Sequence, residues 1–219
     1  MAALGRAASI LLTSLRFTLL ADGSSDQALL PALEWLLQQH SARAFQRQWA
    51  DLGSLREPPK ILSQRMRAAV ELYPCDLLFV HRDAERENRE LRVKEIRQHL
   101  SMLPDQPVVC VVPVRMQEAW LLFDEPSLRE AADNPRGDMP LALPPLGEIE
   151  TIPDPKALIH DLLRMASGLR PGRRRRFHTA PRVHRLAELI DDFSPLRELP
   201  AFQALERDLR SLLEEKAWL

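Results

Sequence analysis

LRFTLLADGSSDQALLPALEWLLQQ, residues 15–39, passes from a mainly apolar run through a short polar turn into a pattern with a period near 3.6. Residues 15–21 are a short, mainly apolar run, which suits a buried strand. Leu29, Leu30, Leu33, Leu36 and Leu37 mark one face of a helix over residues 25–39. Gly23 between them permits a sharp reversal. Strand, tight turn and helix form the opening half of a βαβ unit.

The same alternation continues along the chain. Residues 44–49 read as a weaker strand, and a helix follows Pro58-Pro59 as far as Leu72. Residues 76–80 (DLLFV) form a second clear strand, residues 86–103 a charged helix burying Leu91, Ile96 and Leu100, and residues 107–112 (PVVCVV) a third clear strand. Continuous rather than alternating apolar strands belong to sheets covered on both faces. Strands separated by helices predict an α/β fold with a Rossmann-like, mainly parallel sheet flanked by helices.

Beyond Pro113 the strand signals stop. Residues 116–123 read as a short apolar helix, residues 134–153 as Pro-rich loops, and residues 154–167 as a helix with Asp154 as cap and Pro155 at its first position. Residues 182–218 are helical apart from breaks at Pro195 and Pro200. Three parts result: an N-terminal extension over residues 1–14, an α/β domain over 15–124, and a helical region over 125–219 packed on it.

With 219 residues, 45% of them hydrophobic, the chain can bury one sizeable core. Its 30 basic and 31 acidic side chains leave a formal net charge of −1, so attraction to a polyanion has to be local. No segment approaches the roughly 20 apolar residues that cross a bilayer, and Arg16 interrupts the only N-terminal apolar stretch. Cys75 and Cys110 lack disulfide-scaffold or zinc-ligand spacing, which points to a reducing, cytoplasmic setting.

Chemistry concentrates where the apolar runs stop. Asp22-Gly23-Ser24-Ser25-Asp26 follows the first strand, and His81-Arg82-Asp83-Ala84-Glu85 follows the second clear one. Carboxyl ends of strands in an open α/β sheet border the crevice where ligands bind. The first turn offers Ser24 and Ser25 hydroxyls and amides to an anion or a metal-bound phosphate; equally, the serines serve as helix caps and Asp26 complements the helix dipole. In the second, His81, Asp83 and Glu85 alternate with period two, so an extended backbone projects all three to one side. Hard cations such as Mg2+ use one or two carboxylates completed by substrate phosphates, which makes Asp83 the first candidate ligand. Arg82 and Arg86 offer the competing reading, surface ion pairs with these acids. Glu118, after the third clear strand, either completes the acidic set or pairs with Arg115 at the surface.

Arg173-Arg174-Arg175-Arg176 is the one concentrated basic run, and successive arginines cannot share a single helix face. Either a flexible loop offers them to phosphates, together with Arg182, Arg185, His178 and His184, or they are simply solvated. Lys156 is a further candidate phosphate contact.

The two acidic turns, together with FVHRDAE, VPVRMQEAWLLFD, IPDPKALI and LPAFQALE in that order, resemble a bacterial family of TOPRIM-like proteins. These are related to the TOPRIM domain of topoisomerases, primases and OLD-type nucleases. The likeness runs from Phe17 to about Leu209. It implies a metal-dependent nuclease or phosphodiesterase using Mg2+ or Mn2+, acting on DNA or RNA, in a bacterial anti-phage or mobile-element system beside an ATPase partner. Asp22 takes the general acid/base position and Asp83 the metal position, and Asp22, Asp26, Glu85, Glu118 and His81 are the further candidate metal ligands. Two residues depart from the pattern: Asp22 stands for the usual Glu, and His81 for the first Asp of Asp-x-Asp. The His81 departure keeps open a non-catalytic regulatory or partner subunit that binds nucleotide or nucleic acid. A homo-oligomer is compatible with either.

Overall fold

The computed structural model describes residues 14–85 and 87–219. Apart from Ser14, the extension read at residues 1–14 lies outside the described residues, as does Arg86. Strands β1 (Leu15–Leu20), β2 (Phe45–Trp49), β3 (Leu77–His81) and β4 (Val108–Val111) form one sheet in the order β2-β1-β3-β4. Every neighbouring pair is parallel, with Leu19 beside both Trp49 and Phe79, and His81 beside Val111. The expected α/β, Rossmann-like architecture is present.

The α-helices are α1 (Leu30–His40), α2 (Leu62–Leu72), α3 (Arg89–Arg97), α4 (Glu125–Ala131), α5 (Pro155–Ala166), α6 (Pro171–Arg174), α7 (Ala180–Leu189) and α8 (Pro200–Glu215). None is long and apolar enough among the described residues to cross a membrane.

Because side chains alternate along a strand, the continuous apolar runs fill two cores at once. Phe17, Leu19, Leu77, Phe79, Val109 and Val111 face a core shared with α1, α4, α5, α7 and α8. Leu20, Leu78, Val80 and Cys110 face the other core, closed by Leu62 and Met66 of α2 and by Val93 and Ile96 of α3. The helical region read at 125–219 is therefore one layer of a single body. Its α8 lies against β4, and Phe202 meets Trp120 edge to face at 5.2 Å.

Several boundaries differ from those read in the sequence, for local reasons. Residues 24–29 wind as a 3-10 helix and α1 begins only at Leu30, because Pro31 has no N–H to donate to Gln27. Asn88 accepts from the Glu90 N–H at 2.9 Å and starts α3 there, while residues 100–102 form a separate 3-10 turn. Residues 117–121 and 146–151 are also 3-10 segments, the latter pinned by fully buried Ile149. Asp154 does cap α5, accepting from the Ala157 N–H at 2.8 Å, with Pro155 at its first position. The arginine run is a single helical turn at α6 followed by loop.

The connection from β1 to β2 carries α1 on one face, whereas those from β2 to β3 and from β3 to β4 carry α2 and α3 on the other. The winding thus reverses beside β1. The crevice between the carboxyl ends of β1 and β3 is the topological switch point, where α/β sheets take their ligands.

Candidate functional site

An open cleft of about 330 Å3 lies at that switch point, lined by Asp22, Asp26, Asp83, Glu85, Glu118 and Lys156 among others. On the β1 side, the chain closes a reciprocal turn. The Gly23 N–H donates to Asp26 Oδ2 at 2.9 Å, and the Asp26 N–H returns to the Gly23 carbonyl at 3.1 Å. The other oxygen of Asp26 accepts from Ser25 Oγ at 3.1 Å and from Gln117 Nε2 at 3.2 Å. Asp26 is buried as a result. Asp22 points elsewhere: its two oxygens are held separately by Arg65 and by Arg82, the latter at 3.0 Å. Arg65 also donates to the Ala21 carbonyl at 2.5 Å, and Arg82 to Glu95 at 2.9 Å.

On the β3 side, extended backbone runs past the strand end. The N–H groups of Arg82, Ala84 and Glu85 donate to the carbonyls of Val111, Pro113 and Arg115. Left-handed conformations at Glu85 (φ 54°) and Arg115 (φ 66°) then turn both segments aside. His81 and Asp83 consequently share a side, as period two demands, with His81 Nε2 3.3 Å from Asp83 Oδ1 and 4.0 Å from Asp26 Oδ2. Glu85 is turned out of that row to the exposed mouth of the cleft, 3.9 Å from Arg92.

The reversal after Arg115 carries the Gln117–Leu121 segment back over the strand ends. Its Gln117 N–H donates to Asp83 Oδ1 at 3.0 Å, while its side chain reaches Asp26. Gln117 thereby ties the two acidic turns together from a fully buried position. Trp120, buried beneath, anchors the segment. Glu118 is buried in the cleft wall, with Lys156 Nζ of α5 3.4 Å away.

The tautomer of His81 follows from its partners. Nδ1 lies 3.0 Å from the Val111 carbonyl, which can only accept, so Nδ1 carries a proton. A neutral ring would then turn an Nε2 lone pair toward the Asp83 carboxylate, whereas a second proton makes that contact attractive. Burial works hardest against the charge, but the hydrogen bond and field of Asp83, the field of Asp26 and the Val111 carbonyl together outweigh it and raise the His81 pKa. Burial likewise pushes the Glu118 carboxyl up; its own N–H and Lys156 oppose this, Asp83 reinforces it, and the net shift is upward.

Among the described residues, no group of three or more His, Cys, Asp or Glu side chains is arranged to cage an ion alone. The donor set fits a different kind of binding. Among the described residues, Asp83 makes its contacts with Gln117 and His81 through Oδ1 and Glu118 meets Lys156 through Oε1, and a hard cation takes one or two such carboxylates, keeps its waters and is completed by phosphate. With Nδ1 turned to the Val111 carbonyl, only Nε2 of His81 faces the acidic residues.

Of the residues singled out in the sequence, Asp22, Ser25, Asp26, Arg82, Asp83, Glu85, Glu118 and Lys156 line this cleft, and His81 sits directly beneath it. Ser24 faces a neighbouring hollow instead. Arg173, Arg174, Arg175 and Arg176 do not line the cleft; all but half-buried Arg174 are exposed. Arg182 and Arg185 both pair with Asp133, and Arg182 also stacks on Phe177 at 4.9 Å, so they stabilise the helical layer rather than extend a phosphate-binding patch. Gln117, Arg65 and Arg92 are site residues that the sequence reading did not single out. Gln117 had a signal, its place directly before Glu118 in VPVRMQEAWLLFD, whereas Arg65 and Arg92 sit within ordinary amphipathic helices. Comparison of the chain with known protein families, with curated proteins and with solved structures finds no match.

Proposed function

We propose that the protein is a divalent-metal-dependent phosphodiesterase acting on nucleic acid, as its resemblance to TOPRIM-like proteins implies. The observation that carries this reading is the meeting of Asp26, Asp83 and Glu118 from three separated segments at the switch-point cleft, with Lys156 and Arg92 on its walls. Carboxylates for a hard cation beside cations for phosphate oxygens suit a phosphate ester better than a neutral ligand.

Asp83 and Glu118 would hold Mg2+ or Mn2+, with Asp26 behind them and Glu85 at the mouth. The metal supplies charge neutralisation at the phosphate and a water acidic enough to attack it. Lys156 and Arg92 orient the non-bridging oxygens. Asp22, the acid/base candidate by resemblance, stands on the opposite wall, and its proton role requires Arg65 or Arg82 to release one oxygen when substrate binds.

A second reading has its own support. Asp22 and Glu118 are met by cationic side chains, and Asp83 faces the His81 imidazole, whose pKa it raises. That arrangement also suits a non-catalytic subunit that binds nucleotide or nucleic acid. Cleavage assays on plasmid, single-stranded DNA and RNA with Mg2+ or Mn2+ separate the two. The phosphodiesterase reading expects metal-dependent cleavage that Asp83→Ala abolishes; undiminished cleavage by Asp83→Ala sinks the site assignment. No heat of Mg2+ or Mn2+ binding, with no cleavage, leaves the non-catalytic reading.

A further inference from the structure

A second, larger hollow adjoins the acidic cleft across the Asp22-Gly23 turn. Its volume is about 550 Å3, within the usual range of small-molecule sites. It opens at the carboxyl ends of β1 and β2, where Ala21, Gly23, Ala50 and Gly53 carry no side chain beyond Cβ and therefore leave room. The floor is apolar, formed by buried Ala21, Ala50 and Leu52, and Pro58 and Pro59 form a wall. The Asp51 carboxylate, the Lys60 ammonium and the Ser24 hydroxyl border it without a side-chain partner among the described residues, and Trp49, whose buried indole N–H is likewise unpartnered, lines it too. Arg65, gripping Asp22, stands between the hollow and the cleft.

We propose that this hollow is a nucleobase subsite, receiving the base of an unstacked nucleotide whose phosphate lies over the Asp22-Gly23 turn. A flat heterocycle suits an apolar floor and a proline wall, and its exocyclic amine meets an acceptor in Asp51. Lys60 and Arg65 match the negative charge of the phosphate. Inorganic phosphate alone would leave the floor uncovered, and an uncharged apolar molecule would bury Asp51 and Lys60 unpaired. The placement of the phosphate rests on the phosphodiesterase reading, whereas the placement of the base does not.

Calorimetric titration without divalent metal tests this with AMP, ribose 5-phosphate and inorganic phosphate. AMP is expected to bind at least about tenfold more tightly than either of the others. Gly53→Trp fills the hollow from an exposed position whose φ is not left-handed, where a Cβ would meet only Asp51 Oδ1 at 3.8 Å. That variant, and independently Lys60→Glu, should weaken AMP about tenfold while leaving the melting temperature and the heat of Mn2+ binding unchanged. AMP binding no tighter than ribose 5-phosphate overturns the proposal, as does wild-type AMP affinity in both variants. A trinucleotide identifies the source: tighter binding than AMP points to a single strand, equal affinity to a free nucleotide. Absence of cleavage would count against the phosphodiesterase reading without touching the AMP result.

Discussion

Asp22 and Asp83 leave neighbouring parallel strands with the same functional group and arrive in opposite environments. Asp22 is 49% exposed and is held by two long guanidinium side chains reaching it from outside its own strand turn. Asp83 is 28% exposed and is held by a buried imidazole and a backbone N–H, both fixed by the sheet and the segment packed over it. The first wall of the cleft is adjustable, and the second is preorganised. An anionic substrate can draw Arg65 or Arg82 away from half-exposed Asp22 at small cost, whereas Asp83 is held by groups that the fold itself fixes.

The largest expected effect comes from removing what fixes the rigid wall. Trp120→Ala should lower unfolding free energy by about 3–5 kcal/mol, because Trp120 is fully buried against Phe202 beneath the Gln117–Leu121 segment. Chemical denaturation reads the loss, and a cost under about 1 kcal/mol would show that the segment is held in some other way. Asp83→Ala should follow at about 3 kcal/mol, since it leaves the buried His81 ring and the Gln117 N–H short of a partner. It should also abolish metal-dependent cleavage.

The pH dependence sharpens the contrast further. His81 has a raised folded-state pKa, so its contribution is fully present below the unfolded value of about 6.5 and is lost as pH rises through the folded value. Wild-type stability should therefore fall relative to His81→Gln as pH climbs from about 6.5 through the folded value, and the two curves should run parallel above it; curves parallel throughout would mean that Nε2 carries no proton. Asp22→Ala should have the smallest effect on stability, about 1 kcal/mol or less, as expected for a half-exposed ion pair. If it costs as much as Asp83→Ala, the two walls are not different in kind.

The sequence disclosed the sheet better than the site. β1, β3 and β4 were legible because each is buried on both faces over most of its length and so is written as a nearly continuous apolar run. The 3-10 start before α1 was written only in Pro31, a single residue whose missing N–H outweighs the periodic leucines around it. At the site, acidic residues at the strand ends were visible, but their orientation was not. Period two holds from His81 to Asp83 and fails at Glu85, where the backbone enters a left-handed turn that no glycine announces. Gln117 was harder still to single out, since an uncharged amide gains its importance only when folding brings Asp26 and Asp83 to either side of it.

The core under the sheet has no seam near residue 124: Phe79 and Val111 share it with Leu163, Leu186 and Phe202. For anyone cutting the chain, residues 15–124 are consequently not an excisable module. Expressed alone, that fragment would present one bare apolar face of its sheet to water and self-associate. Two fragments divided near residue 124 should instead regain a folded body only when mixed, which makes that loop a natural place for a conditional split protein.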